Sequence, residues 1–360
     1  MPGFKFIGIQ LAMNSKDFKF LVLGAGAIGG ITAAALKRNG FDVEIICKYD
    51  DYATLISTQG IDVQGVHGSY NVKIPAYATP AEVKGKKDII IHATKAANLV
   101  EAAKAALPVL KDDGFFISMQ NGICEDKLAE VTGKDRVIGC VTGWGATMES
   151  QGKMIMTSHG DFIIGYPARE PDELLTCVAD ALSAVVPVRT TGNIMGHLYS
   201  KLIINSCITS LGAICGLYLG KMLSLLKIRR IFIEIIREAV TVADIAGIQI
   251  EKFGKKLDFH KFIEGNSVIS DLKRHLMIRI IGFRYRRLKS SSLQSLERGK
   301  ATEVDYFNGY IAELAGRYGV DVPVNRAITS IIHEIESGTR PVSLSNFDDS
   351  AFDNYGKRNH

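Results

Sequence analysis

Short apolar runs alternate with amphipathic stretches through the first half of this chain, and longer apolar-periodic stretches replace them in the second half. Residues 20–23 are all apolar, glycines follow at once, and residues 31–38 are good helix formers, which predicts a buried strand, a tight turn and a helix. Residues 42–47, 89–93 and 115–119 read as further buried strands, and 61–76, with alternating apolar residues and glycines, as a hairpin. Residues 137–147 and 153–165 are expected to close the same sheet by mixed or antiparallel pairing. Residues 170–185 read as a helix and 187–190 as a short strand. Strands that alternate with helices predict a doubly wound parallel sheet. From His197 the period lengthens, and residues 198–219, 228–246 and 303–318 read as helices. The fold class is therefore α/β, with an all-helical second domain that starts near Thr191-Gly192-Asn193.

Four stretches fall outside this alternation. Residues 1–17 lack a long apolar core and a small-residue cleavage site, and read as an N-terminal extension rather than a signal peptide. Residues 203–220 carry no charge and approach the length of a membrane span, but Asn205, Ser206, Thr209 and Ser210 favour a buried helix. Residues 273–289 interleave basic and apolar side chains on either side of Gly282. They read as a helix pair with its apolar face packed and its charges in water; the alternative is contact with an anionic surface, a membrane or a partner subunit. The polar stretch 337–360 is expected to fray. The organisation is thus an extension (1–17), a dinucleotide-binding domain (18–191), a helical substrate domain (192–336) and a polar tail (337–360).

Length and composition narrow the class. A chain of 360 residues is long enough for two cores, and a net charge of +5 is too mild to argue for nucleic-acid binding. Six scattered cysteines without a C-x-x-C pair argue for buried thiols in a reducing compartment, the cytoplasm, and against disulfides or a metal site.

The chemistry starts at Gly24-Ala25-Gly26-Ala27-Ile28-Gly29, where the spacing is G-x-G-x-x-G. Gly24 permits the turn, Gly26 lets a pyrophosphate approach the backbone, and Gly29 lets helix and strand pack closely. The helix N-terminus, at Ala27 and Ile28, offers N–H groups and a partial positive charge to the phosphates. The second strand ends at Cys47-Lys48, and a basic residue there suits the extra phosphate of NADP(H); Asp50 and Asp51 could serve a ribose instead. Gln120-Asn121-Gly122 at a strand end is a turn at minimum and, in a crevice, an amide able to orient a nicotinamide. Lys201 and Asn205 stand four apart, on one face of the first long helix. A lysine that opens an uncharged run needs a partner if it points inward, and Glu303 and Asp305 are the candidates.

These motifs together resemble the ketopantoate reductase family, from about Phe18 to about Glu336. The likeness is carried by Gln120-Asn121-Gly122, the run 139–147, Lys201-Leu202-Ile203-Ile204-Asn205, and Ser290-Ser291-Ser292-Leu293-Gln294 leading into residues 299–309. The run 319–325 adds to it. The resemblance implies a Rossmann domain followed by an all-helical domain, with the active site in the cleft, and reduction of the 2-keto group of ketopantoate by NADPH to D-pantoate for coenzyme A synthesis. It implies Lys201 as the catalytic lysine with Glu303 beside it, and Asn205 and Ser291 as substrate contacts. Lys95 and Asn121 fall near the nicotinamide and substrate, and Lys48 at the 2′-phosphate.

The chain departs from the family pattern in three places. Thr209 stands where a second asparagine is usual, Ser292 and Ser295 replace a methionine and an aspartate, and the basic stretch before Ser290 is longer. Threonine lacks the donor–acceptor pair of an amide, so the reaction type is the firmer expectation and the exact 2-keto acid the weaker one. The competing expectations are a sister dehydrogenase for another keto or hydroxy acid, and a dinucleotide sensor without turnover, which the intact Lys201, Asn205 and Glu303 disfavour. A small-molecule partner, no nucleic acid, no stable membrane insertion and a homodimer complete the expectations.

Overall fold

The structure is a computed structural model that describes residues 14–254 and 256–353; most of the N-terminal extension (1–13) and the end of the tail (354–360) lie outside the described residues. The chain divides into two compact units. One comprises Met1–Thr94, Val100–Met119 and Leu128–Gly192; the other comprises Lys95–Leu99, Gln120–Lys127 and Asn193–His360. Residues 95–99 and 120–127, which the sequence assigned to the first domain, thus group with the helical unit.

Up to residue 192 the elements are β1 (Lys19–Leu23), α1 (Ala27–Arg38), β2 (Asp42–Ile46), α2 (Asp50–Thr58), β3 (Ile61–Gly65), β4 (Tyr70–Val72), β5 (Ala76–Tyr77), β6 (Lys87–His92), α3 (Leu99–Ala106), β7 (Leu110–Ser118), α4 (Glu125–Thr132), β8 (Val137–Thr142), β9 (Gly145–Ser150), β10 (Lys153–Ser158), β11 (Phe162–Gly165), α5 (Glu173–Leu182) and β12 (Val188–Thr190). Eight strands form one sheet in the order β12-β11-β8-β7-β6-β1-β2-β5, parallel throughout except for the antiparallel pair β8 and β11. Strand β1 is central, and Phe20, Leu21 and Val22 are fully buried on its two faces, which is why it reads as an unbroken apolar run. The chain goes from β1 to β2 on one side and to β6 on the other, so the strand order reverses at β1, and a crevice forms outside the C-terminal strand ends at such a point.

The expectation that residues 137–165 all close this sheet holds for β8 and β11 only. Strands β9 and β10 leave it and join β3 and β4 in a second sheet of order β4-β3-β10-β9. Met154 and Met156 of β10 are buried in the same core as α1, and the absent side chain of Gly30 makes room for the Met154 methyl: a Cβ there would lie 2.6 Å from it. Burial against a helix and burial against a sheet produce the same alternation along a strand, so the pattern does not reveal the partner.

The second unit is built on α6 (Ile194–Cys215), α7 (Leu219–Ser224), α8 (Leu226–Ala246), α9 (Phe259–Ile263), α10 (Val268–Arg284), α11 (Ser291–Glu297), α12 (Asn308–Arg317) and α13 (Pro323–Glu336). Helix α6 is apolar around most of its circumference because 78% of its most apolar stretch is buried inside the protein. Asn193 Oδ1 accepts from Gly196 N at its start, and left-handed Gly216 (φ 70°) ends it. A chain of buried amides ties α6 to three other helices. Asn308 donates to the Ser206 carbonyl and to Asn325 Oδ1 (2.9 Å), Ser210 Oγ donates to Asn308 Oδ1, and Asn325 Nδ2 donates to Glu238 of α8 (2.7 Å). Both oxygens of Glu238 also accept from the N–H groups of Val324 and Asn325 at the start of α13.

Three expectations for this unit need correction. Residues 303–318 are not one helix: a 3₁₀ turn (Val304–Tyr306) is separated from α12 by Phe307, whose ring is buried and whose backbone (φ −119°, ψ −97°) leaves the helical region. Residues 273–289 are not a helix pair, because α10 runs unbroken through Gly282; the absent Cβ there lets α10 lie against Leu223 of α7. The apolar face of α10 is not packed but exposed, with Ile269, Leu272 and Phe283 each about two-thirds or more accessible. The tail does not fray over 337–353. Ser343 N and Asn346 Nδ2 donate to the Ile214 carbonyl, one of the acceptors that the end of α6 leaves open, and Phe347 and Phe352 are buried against each other.

Candidate active site

In the first unit the turn after β1 is shaped by close approach. Gly24 has φ +103°, and a Cβ on it would lie 2.9 Å from the Ala93 carbonyl oxygen just past β6. A Cβ on Gly29 would lie 2.1 Å from the Gly24 oxygen, so neither position admits a side chain. Gly26 differs: a Cβ there would meet nothing within 4 Å, which leaves open space in front of the turn. Gly26 is also the N-cap of α1 and supplies no side-chain cap, so the first N–H groups of the helix, at Ala27 and Ile28, face that space. Tyr52 of α2 holds the turn from behind, its buried hydroxyl donating to the Ala25 carbonyl (2.8 Å) and accepting from Gly152 N. These features fit a dinucleotide pyrophosphate. Lys48 is exposed just past the end of β2, its Nζ 5.4 Å from the centre of the Tyr49 ring. Asp51, the competing ribose ligand, accepts from Tyr52 N inside the first turn of α2.

In the second unit the group to which the sequence pointed converges on Glu303. Burial pushes the Glu303 carboxyl above its ordinary value, while the charges of Lys95 and Lys201 and a hydrogen bond donated by the Asn121 side chain pull it back. Asp305, the other candidate partner for Lys201, lies at 2.9 Å from His333 Nε2 instead. The Asn121 turn is docked onto the turn that follows Glu303. Gly122 takes φ +86°, and a Cβ on it would lie 2.4 Å from the Tyr306 carbonyl oxygen, so only glycine lets the two turns close. Asn205 follows Lys201 by one turn of α6 and is half-buried. Thr209 follows by another turn, but its hydroxyl donates to the Asn205 carbonyl (2.7 Å) rather than outward. Ser291 is exposed at the first position of α11, where Ser290 is the cap that accepts from Leu293 N.

Two lysine charges and one amide thus act on a single carboxylate. Ammonium groups held in this way can stabilise negative charge that develops on an oxygen. Residues 20–169 match the family described as ketopantoate reductase PanE/ApbA, and residues 193–336 match its C-terminal domain. The chain belongs to the ketopantoate reductase family. It is therefore an oxidoreductase acting on CH–OH groups, in a family that binds a dinucleotide. The chain is similar to the 2-dehydropantoate 2-reductase of Pyrococcus abyssi, 32% identical over 87% of this chain and 96% of that one. It is also similar to the enzyme of the same name from Aquifex aeolicus, 27% identical over 87% and 96%. Among solved structures, a PanE/ApbA family ketopantoate reductase from Ralstonia eutropha superposes with a TM-score of 0.76 at 26% identity, over 89% of this chain and 99% of that one. D-mandelate dehydrogenase with NADH and anilino(oxo)acetate shares the fold, with a TM-score of 0.76 at 21% identity over 89% and 99%.

Sequence reasoning missed two supports, one in each unit of this ketopantoate reductase family member. Tyr52, which pins the glycine turn, carries no local signal. Asn308 and Asn325 stand in runs that carry the family resemblance, yet Glu238, the partner of Asn325, lies within an ordinary helical pattern; these three residues hold α6, and with it Lys201, against α8, α12 and α13.

The raised pKa of Glu303 links to stability with a definite sign. A carboxyl whose folded-state pKa exceeds its unfolded value favours the fold while protonated, and that contribution is lost as pH rises through the folded value. The variant Glu303→Gln should therefore gain stability relative to the parent as pH is raised above the ordinary carboxyl value of about 4.3, read by urea unfolding. A difference that moves in favour of the parent over that range would contradict the assignment.

Proposed function

We propose that this chain reduces 2-dehydropantoate to D-pantoate with NADPH, a step toward coenzyme A. The observation that carries this reading is the single carboxylate, Glu303, shared by Lys201, Lys95 and Asn121. When bound, the dinucleotide supplies the hydride. The chain's own residues bind, orient and move the proton. The N–H groups at Ala27 and Ile28 receive the pyrophosphate in the space in front of Gly26, and Lys48 receives the 2′-phosphate. As the keto carbon is reduced, negative charge collects on its oxygen. The Lys201 ammonium stabilises that charge and then gives a proton to it. Glu303 keeps the ammonium aimed, with Asn121 fixing the carboxylate in turn. Asn205 and Ser291 hold the polar ends of the acid, because orientation sets whether hydride reaches the carbon. Thr209, its hydroxyl turned into its own helix, contributes wall rather than a donor. On this reading the enzyme works in the cytoplasm as a homodimer.

The hydroxyl geometry of Thr209 also favours a second reading, a sister dehydrogenase for another 2-keto acid whose far end needs no amide partner. A substrate panel separates the two, since turnover on other 2-keto acids and none on 2-dehydropantoate selects the sister activity.

Two variants test the roles. Lys201→Met should lower kcat by about 10²–10⁴-fold with little change in dinucleotide affinity, as expected for a lost proton donor. Retained turnover would remove Lys201 from that role. Lys48→Asp should weaken NADPH binding at least roughly tenfold relative to NADH, read by fluorescence titration of both dinucleotides. Tighter binding of NADH to the unmodified protein would contradict the assignment of Lys48.

A further inference from the structure

Helix α10 presents a face that the rest of the unit does not cover. Ile269, Leu272, Leu276, Ile280 and Phe283 fall within an arc of about 80° on a helix of 3.6 residues per turn. All five are exposed, from 57% at Leu276 to 72% at Phe283. The opposite side of the same helix does the packing: Ile278 is fully buried, and the Arg274 guanidinium is buried among the Phe262, Glu264 and Gly265 carbonyls and Asp271. The stripe is therefore neither a misplaced core face nor a scatter of single apolar residues. A continuous patch of this kind marks a contact surface.

The charges that border the stripe select its occupant. Exposed Lys273 and Arg284 lie along one edge and exposed Arg279 along the other. A groove of about 460 Å³ opens beside Phe283, and Lys221, Arg279, Arg286 and Arg287 line it with no carboxylate among its lining residues. Asp271, the sole acid of α10, is held by Arg274 at 2.6 Å on the packed side. Were α10 to pair with a second copy of itself, lysine and arginine would meet lysine and arginine at both edges. An anionic surface removes that repulsion: apolar side chains enter the acyl boundary, and the long basic side chains reach the headgroup phosphates.

We propose that α10 is a peripheral membrane-docking helix that seats this enzyme on an anionic phospholipid bilayer, with a headgroup phosphate in the groove of Lys221, Arg279, Arg286 and Arg287. The chain lies on the surface and does not span it. The apolar stripe supplies depth and the groove supplies the preference for acidic lipid.

Vesicle flotation of the full chain tests this independently of the reductase assignment. The probes are vesicles of phosphatidylcholine alone and of phosphatidylcholine with about one-third phosphatidylglycerol, at about 0.1 M salt. The protein should float with the anionic vesicles and bind the neutral ones at least about tenfold more weakly. Leu276→Ser with Phe283→Ser, and separately Arg279→Glu with Arg286→Glu, should each reduce that binding more than about tenfold while the thermal melt followed by circular dichroism stays in place. Absence of binding to anionic vesicles, or binding that neither pair of substitutions alters, would overturn the proposal. So would a sedimentation mass of two chains that falls to one in Leu276→Ser with Phe283→Ser, since the face would then belong to a second copy.

Discussion

A carboxylate with little water around it is the constraint on which the second unit is built. Removing water from Glu303 raises the free energy of its charged form, and the opposing charges of Lys95 and Lys201 together with the Asn121 amide are what offset it. Those partners come from three separate stretches of chain, so each stretch must be brought to the carboxylate by its own structural device. Gly122 allows the Asn121 turn to close on Tyr306, the break at Phe307 turns the Glu303 segment away from the axis of α12, and the Asn308, Asn325 and Glu238 amide network fixes α6 and therefore Lys201. Removing one member of such a network leaves buried polar groups unpaired, which costs about 1–3 kcal/mol for each group and more for a charge.

Helix α6 carries two roles in one element. Its apolar circumference makes it the central post of the helical core, and Lys201, Asn205 and Thr209 follow one another at successive turns along one line of it. The tail acts at its far end, where Ser343 and Asn346 close on the Ile214 carbonyl. The helix that reads as a possible membrane span in isolation is thus held in place by polar groups at both ends. Among the described residues, α10 is the helix with a continuous apolar stripe open to solvent, from Ile269 to Phe283.

Much of this was legible because the relevant signals are local. The glycine turn is a run of adjacent residues whose spacing reflects direct backbone contacts, and the central strands are apolar on both faces because both are covered. The pairing of Lys201 with Glu303 rather than Asp305 was open in the sequence, since the two acids are neighbours; His333 resolves it by engaging Asp305 from α13, a hundred and more positions from Lys201. Features that depend on distant partners were not legible. Strands β9 and β10 show an alternation that does not name the sheet they join. Phe347 and Phe352 anchor a segment whose polar composition suggested disorder. Glu238 sits in a regular amphipathic helix and is distinguished only by the Asn325 amide and the N–H groups at the α13 N-terminus that converge on it.

The central claim is that a nicotinamide hydride and the proton of a lysine meet on the 2-keto group of one acid. The most direct test is isotope transfer by the unmodified protein from NADPH carrying deuterium at both C4 positions of the nicotinamide to 2-dehydropantoate, with the product analysed by mass spectrometry and chiral chromatography. The account predicts D-pantoate with deuterium at C2. Product without the label, or no product from 2-dehydropantoate while the dinucleotide binds normally, would contradict it.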